Sequence, residues 1–98
     1  MDAQYLSLPT LTELRRHILR TLCAHDQLDP SQTPMYESAI TLAGNPCGLF
    51  FQARGPRQVK SYAVWTAKER RILFYDAAGE RFAETKLRKS PGLQEIAA

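Results

Sequence analysis

No stretch of this sequence approaches the ~20 consecutive apolar residues that span a bilayer, and its start carries no basic segment followed by an uninterrupted apolar run. Neither export nor membrane insertion is expected, so the chain reads as cytoplasmic. Cysteine is scarce: Cys23 and Cys47 are the only two, and they lie far apart. Small extracellular domains stapled by disulfides usually carry about four to eight, so reduced thiols are the expectation. Also missing are the glycine-rich loops that cradle phosphates and the G-x-S-x-G turn that presents a nucleophilic serine. No cofactor is expected.

The residues that could carry chemistry are few and dispersed. Cys47, in Asn45-Pro46-Cys47-Gly48, stands on a turn where backbone amides lower a thiol pKa, but nothing in the sequence supplies a base beside it. His25 is one available base, and a small semi-buried filler is the ordinary role of a turn cysteine. His17, Cys23, His25 and Cys47 lack the tight C-x-x-C or H-x-x-x-H pairs of structural zinc sites. His17 reads as a polar helix-surface residue and His25 as a helix-terminal one near the negative end of the dipole. Asp26, Asp29, Asp76, Glu80 and Glu84 read as loop, turn and surface positions. No catalytic residue and no metal ligand is assigned, and the chain is read as non-enzymatic.

With 98 residues there is room for one hydrophobic core and one domain. A hydrophobic fraction of 44% beside 23% charged residues is that of a chain that folds. A core of this size gains from burying further apolar surface against a second copy. The net charge of +3 is unevenly spread: up to Ala43 there are three Lys/Arg against five Asp/Glu, and after it ten against five. That is −2 followed by +5, an excess that fits either a solvated strand surface or an acidic partner.

Thr10-Leu11-Thr12-Glu13 forms a capping box, the Thr10 hydroxyl serving the Glu13 amide and the Glu13 carboxylate reaching back to the Thr10 amide. Leu11, Leu14, Ile18 and Leu22 then recur at spacings of three and four, with Leu19 widening the stripe. The pattern predicts a helix over about 11–24, ended by a loop rich in proline and aspartate through Pro34. From Tyr36 the period becomes two. Strands are predicted over about 36–43, 49–54, 58–67, 71–76 and 81–87, with Gly44-Asn45-Pro46-Cys47-Gly48, Gly55-Pro56, Lys68-Glu69-Arg70 and Ala77-Ala78-Gly79-Glu80 as connections. Connections this short imply antiparallel hairpins. A loosely held tail is expected over about 90–98, after Ser90-Pro91-Gly92. The fold class is α+β: an N-terminal amphipathic α-helix on one face of an antiparallel β-meander of about five strands.

Tyr75-Asp76-Ala77-Ala78-Gly79-Glu80-Arg81-Phe82 resembles a single unit of the tyrosine-aspartate repeats of large bacterial surface and toxin shells, with Glu80 standing where the repeat has its arginine. The likeness covers eight residues and implies a hairpin turn shaped by Asp76 and Gly79, with no function attached.

Alternation within each strand sorts side chains into two faces. The best core set is Ile40, Leu42, Leu49, Phe51, Ala53, Val59, Ala63, Trp65, Ile72 and Phe74, which is expected to meet the helix stripe. The opposite face carries Phe50, Gln52, Arg54, Lys60, Tyr62, Val64, Thr66, Arg71, Leu73 and Tyr75. On it Phe50, Arg54, Lys60, Tyr62, Arg71 and Tyr75 form the candidate binding face. Three functions fit that set: cross-strand pairs stabilising a half-exposed sheet, a protein or homodimer interface, or a platform on which single-stranded nucleic acid stacks. A protein partner or second copy is the leading expectation, and nucleic acid comes after it because the net charge is modest.

Overall fold

A computed structural model describes residues 4–56 and 60–96. The elements in chain order are strand β1 (Gln4–Ser7), helix α1 (Leu11–Asp26), a 3-10 turn (Pro30–Gln32), strands β2 (Met35–Leu42), β3 (Asn45–Ala53), β4 (Tyr62–Thr66), β5 (Arg71–Tyr75) and β6 (Arg81–Lys89), and a short helix α2 (Leu93–Ile96). This is a small α+β domain built on a six-stranded, mostly antiparallel sheet ordered β1-β6-β5-β4-β3-β2. The order is not that of a simple meander, because β1 joins β6 in parallel at the edge, pairing Tyr5 with Lys86 and Leu6 with Leu87. Four residues with no flanking turn signal gave the sequence no strand pattern there; the strand exists because β6 offers it an unpaired ladder.

Helix α1 starts at its capping residue. The Glu13 amide donates to Thr10 Oγ1 at 3.2 Å, while the Thr10 hydroxyl itself donates to Glu13 Oε1 at 3.0 Å, so the carboxylate serves the hydroxyl rather than the Thr10 amide. The helix ends at Gln27, which takes the left-handed conformation (φ 58°) with its amide on the Ala24 carbonyl. The Leu28 amide closes onto the Cys23 carbonyl at 2.8 Å. This double closure is a Schellman cap in which glutamine stands where glycine is usual, which is why the helix runs past Ala24 without a sequence signal.

One buried cluster holds the domain together: Leu14, Ile18 and Leu22 of α1 with Leu49, Phe51, Ala53, Ala63, Trp65, Ile72, Phe74 and Leu87 of the sheet. Its largest members, Trp65, Phe51 and Phe74, are wholly shielded from water, and truncating any one to alanine is worth about 3–5 kcal/mol. The assignment of faces on β3, β4 and β5 thus agrees with the alternation. That on β2 does not. Met35, Glu37 and Ala39 pair with Ala53, Phe51 and Leu49, so the core-side residues of β2 are the odd-numbered ones. Ile40 pairs with Gly48 on the opposite face, and Leu42 is 74% exposed. As an edge strand with a single neighbour, β2 has no second ladder to enforce the apolar-inward choice. Of the expected core set, Val59 lies outside the described residues, as does the expected strand start at Gln58.

The β2–β3 connection is also tighter than the Gly-Asn-Pro-Cys-Gly cluster implied. Ala43 and Gly44, both at positive φ (53° and 82°), form a two-residue turn of the kind favoured in hairpins. Pro46 sits inside β3, where a register shift between Ile40 and Thr41 spares it a ladder bond it has no N–H to make. Gly48 has no room for a side chain: a Cβ there would meet the Trp65 carbonyl oxygen. The stretch from Ser90 to Ile96 is not a loose tail. Trp65 Nε1–H donates to Ser90 Oγ at 3.0 Å, Pro91 is buried, and Ile96 packs against the core. Residues 97–98 of the expected tail lie outside the described residues.

Two substitutions test this backbone reading. Gly48→Ala is expected to destabilise the fold by about 1–3 kcal/mol through backbone overpacking. Ala43→Asn, whose short polar side chain can hydrogen-bond locally in the left-handed conformation, is expected to gain up to about 1 kcal/mol. Urea unfolding followed by far-UV circular dichroism gives both values.

Candidate functional site

The pairings lay out the sheet face turned away from the core as three rows across the strands. The first runs Tyr36, Gln52, Tyr62, Tyr75, Arg81; the second Ser38, Phe50, Val64, Leu73, Glu84; the third Ile40, Gly48, Thr66, Arg71, Lys86, Tyr5. Three of the candidate residues meet at the centre. Tyr62 and Tyr75 stack with ring centroids 4.9 Å apart and planes 13° from parallel. Phe50 tilts against Tyr62 at 5.6 Å. Val64 and Leu73 lie beside them in the second row, so an apolar and aromatic strip crosses β3, β4 and β5.

The three candidate cations are not gathered on that strip. Arg71 stands in the third row, where its guanidinium is held by Glu69 and Glu84, each at 3.3 Å. Arg54 follows the end of β3 and lies over the Tyr36 ring at 3.7 Å, with its Nε on Gln52 Oε1. Lys60 precedes β4 and is exposed. The alternation missed two rings of this face. Tyr36 (51% exposed) lies on the edge strand whose face was misassigned, and Tyr5 (54% exposed) on the strand without a pattern.

The core side has its own polar contacts. His17 is half-buried rather than on the helix surface: its Nε2 is 3.0 Å from the hydroxyl of buried Thr85, and its ring meets the edge of Phe74 at 5.9 Å. Burial lowers its pKa below the ordinary value. His25 stacks on Phe82 at 3.7 Å, which a register shift in β6 directs toward Phe74. Buried Ser61 donates to Asp26 Oδ2. On the helix flank Arg15 makes a two-pronged bond to Glu37, at 2.6 and 2.9 Å, and that hydrogen bond raises the arginine's pKa. The solvent around this pair keeps its worth below about 1 kcal/mol.

Cys47 and His25 lie at opposite ends of the sheet. The Cys47 carbonyl accepts from Ala67, in the β4–β5 turn, whereas His25 stacks on Phe82, which follows the β5–β6 turn. The Cys47 thiol contacts the Ile40 carbonyl at 3.4 Å, and Cys23 is buried in the core. Both thiols are free. Among the described residues no three His, Cys, Asp or Glu side chains converge as a metal site, and no helix is long and apolar enough to cross a membrane. The eight-residue likeness to the tyrosine-aspartate repeat is accounted for by the turn: Asp76 Oδ1 accepts from the amides of Ala78 and Glu80, each at 2.9 Å, and Gly79 takes φ 85°. Compared with known protein families, curated proteins and solved structures, the chain matches none.

His17 makes the stability depend on pH with a defined sign. Its folded pKa lies below the unfolded value of about 6.5, so the unfolded chain takes up more protons in that window. Stability is therefore full above about pH 6.5 and falls as the pH drops toward the folded pKa. Urea midpoints at pH 7.5 and pH 5 are expected to differ more for the parent than for His17→Gln, which keeps a side-chain amide for Thr85 without a titrating group. Equal shifts in the two proteins would dismiss His17 as the source.

Proposed function

We propose that this protein is a non-enzymatic interaction module that binds another protein, a second copy of this chain foremost, through the open face of its sheet. In this reading α1 seals one side of the antiparallel run β2 to β6, and the other side meets the partner in the cytosol. The observation that carries it is the contiguous strip of Phe50, Tyr62, Tyr75, Val64 and Leu73. Among the described residues, α1 shares its cluster with the opposite face, and the chain leading to α2 is tied to Trp65 of that same face. An aromatic patch flanked by arginine is the composition enriched at protein interfaces. Arg54 over Tyr36 and Arg71 between two carboxylates supply a polar rim whose charges are already partnered.

Size-exclusion chromatography with light scattering tests the reading at micromolar concentration. The parent is expected at twice the monomer mass. The Tyr62→Ala, Tyr75→Ala double variant is expected to weaken association at least tenfold, with its circular dichroism unchanged. A parent that stays monomeric up to millimolar concentration ends the second-copy form of the proposal.

A further inference from the structure

The third row of the open face ends in a different kind of surface. Where β4 turns into β5, Lys68, Arg70 and Arg71 stand beside Lys86, Arg88 and Lys89 of β6, through the pairing of Arg71 with Lys86 and the bond from the Leu87 amide to the Arg70 carbonyl at 2.8 Å. Among the described residues, Glu69 and Glu84 offset them. Six cations less two carboxylates leave +4 at this one end, against +3 for the whole chain. The rest of the molecule is thus close to neutral, and the field of the protein is concentrated here.

Tyr5 stands among these charges. It pairs with Lys86 across the parallel edge, is 54% exposed, and has Lys86 Nζ 5.6 Å and the Arg88 guanidinium 5.8 Å from its ring centroid. Tyr5, Glu69, Arg70, Arg71, Lys86 and Leu87 line an open depression of about 540 Å³, within the size range of small-ligand sites, with Arg88 beside it over the Tyr5 ring. Its cations differ in availability. Arg71 is occupied by Glu69 and Glu84, while Lys86 and Arg88 are exposed. Arg70 is held in place: it takes the left-handed conformation (φ 53°), uncommon for a residue other than glycine. Its amide bonds to the Thr66 carbonyl at 2.9 Å, and its guanidinium, which carries five N–H donors, gives one to the Arg88 carbonyl. A strained backbone fixed by bonds to the neighbouring strand pre-positions this charge.

We propose that this tyrosine-bearing basic end of the sheet is a binding site for single-stranded nucleic acid, a base stacking on Tyr5 while Arg70, Lys86 and Arg88 neutralise the adjoining phosphates. The ring decides between polyanions. An acidic peptide needs the cations alone, whereas a base also uses an exposed aromatic face set among them. Strands β5, β6 and β1 span about 10 Å at the usual strand spacing, so the footprint is about two or three phosphates. The site shares Arg71 with the rim of the proposed protein-contact face but no residue with its aromatic strip, and does not depend on that strip.

Fluorescence anisotropy of a labelled oligo-dT at low and rising salt reads this directly. Saturable binding is expected, with log affinity falling against log salt by about 0.7 per phosphate, hence a slope near −2. Tyr5→Ala is expected to weaken binding about tenfold or more with unchanged circular dichroism, and Lys86→Gln with Arg88→Gln to lower the slope by about one or more. Tyr62→Ala is expected to leave binding as it is, which separates this site from the central strip. The assignment is overturned by no binding at low salt, by equal affinity for duplex of the same length, by a Tyr5→Ala variant that binds like the parent, or by poly-glutamate competing as well as the oligonucleotide at equal charge.

Discussion

The rest of the structure depends on one packed contact, the burial of Trp65 in the middle of the sheet. Its indole fills the cluster formed with Leu14, Ile18 and Leu22, its N–H is satisfied by Ser90, and its carbonyl oxygen occupies the space a side chain at position 48 would need. One residue thereby joins the helix, the second hairpin strand and the segment after β6. A large amphipathic ring is suited to this, since its body gains from burial only while its single polar hydrogen has a partner. With Thr85 answered by His17 and Ser61 by Asp26, no buried side-chain nitrogen or oxygen among the described residues is left without a hydrogen bond.

Because that cluster consumes one face, the other face inherits a composition set by what remains. In the first two rows it is aromatic and aliphatic, with Tyr62 and Tyr75 stacked face to face across strands. In the outer row it becomes cationic. The gradient follows the strands lengthwise, from Arg81 and Tyr75 at one end, through Leu73 and Val64, to the Arg70, Lys86 and Arg88 group at the other. The two ends of this surface therefore differ in chemistry.

Much of this was legible in the residues. The capped helix announced itself through Thr10 and Glu13 and the leucine spacing, and the faces of β3, β4 and β5 followed from period two because each of those strands has neighbours on both sides. The stacked group of Phe50, Tyr62 and Tyr75 was legible for the same reason. What escaped was whatever a distant partner decides. Leu42 looks like core by its type, yet β2 takes its register from β3 alone, and Glu37 turns toward Arg15 instead. Gln27 caps a helix without being glycine, and Pro46 enters a strand because a bulge spares its missing N–H. Tyr5 belongs to a four-residue strand whose only definition is its parallel alignment with a segment some eighty residues later.

That alignment bears on the order in which the sheet assembles during synthesis. Strand β1 leaves the ribosome about eighty residues ahead of its hydrogen-bonding mate, β6. A pairing of such high sequence separation is slow to close and comes after the local hairpins. The emerging polypeptide therefore carries Tyr5 and its short strand unpaired until β6 has followed it out. The basic end of the sheet, which takes its ring from β1 and its charges from β6 and the turn before β5, is assembled only once these distant segments have met.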